Sequence, residues 1–284
     1  MTITEQQIFT PAIIFFDIDD TLSRDGILAE HNKSTLEQLA KTEIKVVIAT
    51  GRAKPMLPED IIDLHDSGVI DAIICMNGQY SFTKNAQQDQ KIKHYPLSKA
   101  QAKLIVDICQ QQDIIYKFES TTHIGWSGNS PRHELLRKLI DENHHFMIDP
   151  DFYKANDVYQ CSVFFEGDNE QLAPVNFADY GLKLVHWHAM GADILPIEAS
   201  KARAVKDICD YYEVSPADCM AFGDGNNDIE MFELVGCPVA MADGAEILKQ
   251  TALAHNGKVT GSIEENGIQT ALTEYGVFND DSGN

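Results

Sequence analysis

Unbroken apolar runs alternate with helical patterns over the first part of the chain. Residues 12–16 form a continuous run of strand-forming side chains, and residues 32–41 place Leu36, Leu39 and Ala40 at helical spacing. Two further apolar runs follow at residues 44–49 and 72–76. Strands without polar alternation, separated by helices, predict a parallel sheet buried on both faces. From about Phe82 the texture changes. Residues 84–93 are polar and Gln-rich, as expected of a hairpin connection or linker. Residues 98–112 predict an amphipathic helix with Leu104, Ile105, Ile108 and Cys109 on one side. Residues 134–142 predict another helix, and residues 114–118, 158–166 and 182–188 predict strands. After Gly191 the first texture returns. Ser200 can cap a helix lined by Val205, Ile208, Cys209 and Tyr212. Residues 218–222 and 237–241 are again apolar strand runs, and residues 252–255 read as a short one. The polar tail, residues 279–284, is expected to fray.

The simplest organisation is an α/β fold. A Rossmann-like parallel-sheet core is built from two pieces, residues 1–82 and 190–284, with an α+β cap domain, residues 83–189, inserted between them. Charge then narrows the function. Of 284 residues, 44 are acidic and 22 basic, a formal net charge of −22. Phosphate backbones and anionic membrane surfaces are held by clustered Lys and Arg, so neither nucleic acid nor a membrane is an expected partner. The early apolar run is too short and too late for a secretory leader. No stretch approaches the roughly 18 apolar residues of a membrane span. Six cysteines lie scattered without a C-x-x-C pair, mostly inside apolar runs. They read as small buried hydrophobes of a reducing, cytoplasmic compartment.

In open parallel sheets, ligands bind just beyond the carboxyl ends of the strands. Four predicted strands deliver chemistry there. Asp17-Ile18-Asp19-Asp20-Thr21 follows the first run, Thr50-Gly51-Arg52 the second and Asn77-Gly78 the third. Gly223-Asp224-Gly225-Asn226-Asn227-Asp228 follows the run at 218–222. Any one of these alone reads as a turn, because Asp, Asn and Gly favour turns; four coincident strand ends argue for a site. Asp17, Asp19, Asp224 and Asp228 could not share that site unpaired, since like charges about 4 Å apart repel by several kcal/mol at intermediate dielectric. A divalent cation resolves the repulsion, and hard oxygen ligands with room for water favour Mg2+.

Three other motif readings fail. Residues 223–228 carry two glycines of a dinucleotide fingerprint, but Asp228 stands at the third, where a pyrophosphate would meet negative charge. Asp224, Asn226 and Asp228 match the first positions of a calcium loop, yet Ile229 and Val235 occupy its Gly and Glu positions. No Gly-Lys-Ser/Thr follows a glycine-rich turn, so there is no P-loop.

Asp17-Ile18-Asp19-Asp20-Thr21-Leu22, Thr50-Gly51-Arg52, Lys201 and Gly223-Asp224-x-x-Asn227-Asp228 resemble the four motifs of the haloacid dehalogenase-like (HAD) hydrolase superfamily. Their order and spacing are similar to its Cof-like phosphatase branch, which carries a large α/β cap between the second and third motifs. Val239-Ala240-Met241 and Glu265-Asn266-Gly267-Ile268 also resemble that branch. The resemblance implies roles. Asp17 would be the nucleophile that takes the phosphoryl group as an aspartyl-phosphate, and Asp19 the general acid/base. Thr50 would hydrogen-bond a phosphoryl oxygen, and Lys201 would neutralise Asp17 and the phosphoryl charge. Mg2+ would be held by Asp17, the backbone carbonyl of Asp19 and Asp224, with Asp228 supporting through water. Asn227 would orient the loop or the substrate, and Gly51, Arg52 and Asn77 are further candidates for substrate contact. An acid at Asp19 suits ester hydrolysis; dehalogenases and phosphonate-cleaving members lack one there, and P-type pumps have Thr. The chain departs from the branch at Asp20, where Gly is usual, and at Ala242-Asp243-Gly244-Ala245, where Gly-Asn-Ala is more usual. The role of Asp243 stays open.

Other residues carry two readings each. Arg52 can touch substrate or pair with surface acids, and Asn77-Gly78 can touch substrate or make a tight hairpin turn. His186 and His188 would share a strand face, as transition-metal ligands or as ordinary cap residues; His144-His145 is a weaker pair. Phe118, Trp126, Tyr159 and Trp187 can line a pocket or fill a core. The expected function is Mg2+-dependent hydrolysis of a small phosphorylated metabolite, sugar-phosphate-like. The negative chain offers an anionic substrate no global steering, so local cations must hold it, and a large cap suits a small substrate. Two rivals remain: a phosphomutase or phosphotransferase that passes the group to a second alcohol, and a catalytically idle metal-binding regulatory module. Retention of Asp17, Asp19, Lys201 and Asp224 argues against the second.

Overall fold

The computed structural model describes residues 8–85, 88–128, 145–164, 172, 174–188 and 191–278. The helix expected at 134–142, His144, the side chains of Trp187 and His188, and the tail 279–284 lie outside the described residues. The chain falls into two compact units. One comprises Met1–Gly51, Leu57–Lys93 and Ser200–Asn284; the other comprises Arg52–Met56 and His94–Ala199.

The first unit is organised by an eight-stranded sheet. Its order is Lys258–Val259, Cys237–Ala240, Cys219–Gly223, Ile13–Phe16, Lys45–Ala49, Ala72–Cys75, Tyr80–Asn85 and Gln88–His94. The first six run parallel, and Tyr80–Asn85 pairs antiparallel with Ala72–Cys75. Ile13–Phe16 and Ala72–Cys75 are fully buried, as both faces of a helix-covered sheet require. On one face Phe15, Val47, Ile74 and Ala221 pack with Val205 and Ile208 of the helix Lys201–Tyr212. Each such side chain contributes about 1.5–3 kcal/mol on burial. Register sets the site. Phe16 lies opposite Ile48 and Phe222, and its ring stacks on Phe222 at 5.1 Å. The segments after Phe16, Ala49 and Gly223 therefore leave the sheet at nearly one level.

Several expectations need correction here. Residues 84–85 and 88–93, read as part of a hairpin connection or linker, belong to the strands Tyr80–Asn85 and Gln88–His94, the second of which is the sheet edge. Their polar pattern reflects an exposed sheet edge rather than the absence of a strand. The two compact units divide after Lys93 and before Ser200, with Arg52–Met56 in the second, beside the changes of texture at 82 and 190. Residues 252–255 end the helix Glu246–Ala254, and the short strand is Lys258–Val259.

The second unit holds a six-stranded sheet in the order Phe146–Ile148, Ile124–Trp126, Ile115–Glu119, Gln160–Phe164, Gly191–Pro196, Leu182–His188. All pairings are antiparallel except that of the first two strands. One face packs Phe118, Cys161, Val163 and Ile194 with Ile105 and Cys109 of the helix Lys99–Gln111. Ser98 starts that helix with a capping box to Gln101. By strand alternation the opposite face carries Lys117, Glu119, Gln160 and Ser162. These are buried and bonded to one another: Lys117 lies 2.6 Å from Glu119, which accepts from Gln160 at 2.6 Å and from Ser162 at 3.1 Å. Phe118 is thus a core residue, Tyr159 is buried, and Trp126 stacks on Phe164. His186 is exposed, and the pairing register of Leu182–His188 with Gly191–Pro196 shifts between His186 and His188. Among the described residues, no helix is long and apolar enough to cross a membrane.

Candidate active site

Asp17 is placed by the strand it follows. Its N–H donates to the Phe222 carbonyl at 3.0 Å, which carries the sheet ladder one residue beyond Phe16. The side chain is buried, and its Oδ1 accepts from Lys201 Nζ at 2.5 Å. Lys201 is the first residue of its helix, whose Ser200 cap accepts from the Arg203 N–H at 3.1 Å. A cation at a helix N-terminus opposes the macrodipole, and a buried ammonium is costly unless paired. The pairing is double: Lys201 Nζ also donates to Asp228 Oδ1 at 2.6 Å.

Asp228 is buried and uses its other oxygen to fold the loop. Oδ2 accepts from the backbone N–H groups of Asp224, at 3.2 Å, and Gly225, at 3.1 Å. Gly223 makes room for this, since a Cβ there would lie 2.6 Å from the Asp228 carboxyl carbon. Asp17, Asp224 and Asp228 each bring one carboxylate oxygen within 4.8 Å of the others. Thr21, which the sequence left without a role, donates to Asp224 Oδ1 at 3.4 Å.

Crowding shows in the acid strengths. Burial raises Asp17 well above the ordinary carboxylate range; Lys201 pulls it down, while Asp228 and Asp224 push it further up. Burial acts to lower the Lys201 ammonium, but the Asp17 and Asp228 carboxylates prevail and hold it above its ordinary value. Burial, reinforced by Asp228, pushes Asp224 up to about 7. Three close carboxylates against one ammonium leave an excess of negative charge. A hard divalent cation fits that donor set.

The remaining expected residues divide. Thr50 is buried at the end of Lys45–Ala49, and its carbonyl accepts from the Asn77 N–H at 3.2 Å. Asn77 sits with φ +51° in the turn Met76–Gly78 that joins two antiparallel strands, so it does make a turn. Its buried side chain also faces the site: Oδ1 accepts from Asn227 Nδ2 at 3.3 Å and lies 3.2 Å from where a Cβ on Gly51 would stand. Arg203 reaches the same turn, donating to Gly78 O at 3.4 Å and to the Gln79 side chain. Arg52 donates to the Met56 carbonyl at 3.2 Å and groups with the second unit. The Asp19 carboxylate is not part of the acidic cluster and is exposed. Its turn is tight, with the N–H groups of Thr21, Leu22 and Ser23 all donating to the Ile18 carbonyl. Asp20 has φ +57°, a left-handed conformation that explains why Gly is usual there and that Asp tolerates. Asp243 pairs with Arg24.

Fold and strand-end acids together define a hydrolase class. Residues 14–272 match the sequence profile of the haloacid dehalogenase-like hydrolases, and the chain belongs to that family. The putative phosphatase YkrA of Bacillus subtilis is 30% identical over 94% of this chain and 98% of its own length. A putative bifunctional phosphatase/peptidyl-prolyl cis-trans isomerase of Streptococcus pyogenes is 31% identical over 94% of this chain, which spans 54% of that protein. Among solved structures, the HAD subclass IIB sugar phosphatase BT4131 superposes with a TM-score of 0.78 at 25% identity, covering 94% of this chain and 99% of that one. Within its family the chain is a phosphatase of the Cof-like type, a phosphoric monoester hydrolase.

Proposed function

We propose that the chain hydrolyses a small, sugar-phosphate-like monoester with Mg2+, through a phosphoryl group held transiently on Asp17. The observation that carries this reading is the buried Asp17–Lys201–Asp228 constellation with Asp224 beside it. Asp17, Asp224 and the Asp19 carbonyl would hold the cation, with Asp228 behind them. When bound, Mg2+ supplies positive charge that lets an anionic ester approach an anionic nucleophile.

The chain's own groups do the rest. An Asp17 oxygen forms a bond to phosphorus as the ester oxygen leaves with its electron pair. Asp19 gives that oxygen its proton, then removes a proton from the water that attacks the phosphorus of the aspartyl-phosphate. Inorganic phosphate leaves and Asp17 is regenerated. Lys201 neutralises charge on Asp17 and the phosphoryl oxygens from a water-poor position, where electrostatic stabilisation is strongest. Thr50 would donate to a phosphoryl oxygen, and Asn77, Asn227, Gly51 and Arg52 would orient the ester. The sugar-like substrate draws support from the related sugar phosphatase. Six buried cysteines suit a reducing compartment, and we place the protein in the cytoplasm.

Phosphate release from a panel of small phosphate esters, with Mg2+ or EDTA, tests this reading against Asp17→Asn. Metal-dependent release that the variant lacks supports it. Isomerised ester without phosphate release would replace hydrolysis by transfer to a second alcohol.

A further inference from the structure

Arg24 is a positively charged residue at the rim of the core site that the reaction above does not use. It ends the strand Ser23–Arg24, which forms a small hairpin with Ile27–Leu28 just beyond Asp19 and Asp20. Its guanidinium meets three carboxylates from three separate segments. Nη1 donates to Asp20 Oδ1 at 2.7 Å, Nη2 donates to Asp243 Oδ2, and Nε lies 3.4 Å from Glu264 Oε1. The planar fork of arginine suits such multiple contacts in a way lysine does not.

What these segments do gives the contacts meaning. Asp20 is the neighbour of Asp19 in the tight turn closed onto the Ile18 carbonyl. Asp243 lies in the loop after Cys237–Ala240, and that loop seats Asp224: the Ala245 N–H donates to the Asp224 carbonyl at 2.7 Å. Gly244 abuts the same residue so closely that a Cβ would stand 2.9 Å from Asp224 Cα. Arg24 therefore bridges the turn that carries Asp19 and the loop that supports Asp224. With 36% or more of each side chain exposed, these pairs add little to stability.

We propose that Arg24 is a positioning residue for Asp19. By tying Asp20 to Asp243 and Glu264 it holds the turn in the conformation that brings the Asp19 carboxyl to the leaving-group oxygen. This rests on Asp19 being the general acid. It also assigns Asp243, a departure from the branch, as an anchor for Arg24.

The test compares kcat/KM for an alkyl ester, glycerol phosphate, with that for p-nitrophenyl phosphate, whose leaving group departs without a proton. In Arg24→Gln the alkyl ester should lose about tenfold or more and the aryl ester less than about twofold, a fraction of what a general acid supplies. Asp243→Asn should give a weaker loss with the same selectivity, and Arg24→Lys a partial recovery. The unfolding midpoint should stay near that of the unaltered protein. Equal losses for both esters, or no loss with either, overturn the proposal. Asp19→Asn run in parallel separates the two readings. If Asp19→Asn discriminates between the esters and Arg24→Gln does not, the Arg24 proposal alone fails. If Asp19→Asn does not discriminate either, the acid role of Asp19 fails and the Arg24 proposal falls with it.

Discussion

Lys201 Nζ stands 2.6 Å from Asp228 as well as 2.5 Å from Asp17, so one buried ammonium serves two carboxylates carried by different loops. Asp228 in turn holds the backbone of Asp224 and Gly225. The lysine thus links the proposed nucleophile to the loop of a proposed metal ligand.

Removing the ammonium should damage both chemistry and fold. Lys201→Met leaves two buried carboxylates without their cation, and breaking a buried pair in this way costs about 3–5 kcal/mol. Loss of a buried electrostatic stabiliser should lower kcat by about 100-fold or more. Denaturant unfolding and steady-state phosphate release measure the two effects. A kcat close to that of the unaltered protein would remove Lys201 from the mechanism.

Acidity should govern the metal-free protein. Asp224 is raised to about 7 and Asp17 also lies above its ordinary range. In that window the folded state binds protons that the unfolded state does not, so stability falls as pH rises from about 4 to about 7. Mg2+ competes with the same protons and should stabilise most at the upper end. Thermal unfolding in EDTA and in Mg2+ across this range checks the sign. Asp224→Asn should flatten the EDTA profile; an unchanged slope would place its origin elsewhere, such as in the −22 net charge.

Gly51→Ala tests the amide pair. Its new Cβ would stand 3.2 Å from Asn77 Oδ1, closer than comfortable contact, and should displace the side chain that accepts from Asn227. The expected outcome is a several-fold rise in KM with a stability change of about 1 kcal/mol or less. An unaltered KM would mean that Asn77 and Asn227 do not shape substrate binding.

Much of the core site could be read from the chain because parallel strands buried on both faces leave an unmistakable apolar run, and the first one or two residues after each run must lie at the sheet's carboxyl edge. Asp17, Thr50, Asn77 and Asp224 follow from that rule alone. Lys201 does not: nothing in the periodicity of its helix marks it, and only the resemblance to known motifs brought it in. Edge strands and the short strands of the second unit were harder. Gln88–His94 is polar because it is exposed, and Ile124–Trp126 and Phe146–Ile148 are too short to carry a period. The Arg24–Asp243 pair spans 219 positions and depends on where two loops meet, which no local pattern encodes.

Asp17 as the group that accepts the phosphoryl is the central claim, and trapping that adduct tests it most directly. Asp19→Asn mixed with p-nitrophenyl phosphate and Mg2+ should release the aryl group in a rapid burst, because that departure needs no proton, while water attack without a base is slow. Acid quench and peptide mass mapping should then find one phosphoryl group on the peptide bearing Asp17, absent when Asp17 is also changed to Asn. A phosphoryl group on another residue, or continued turnover without any burst or adduct, would contradict the account.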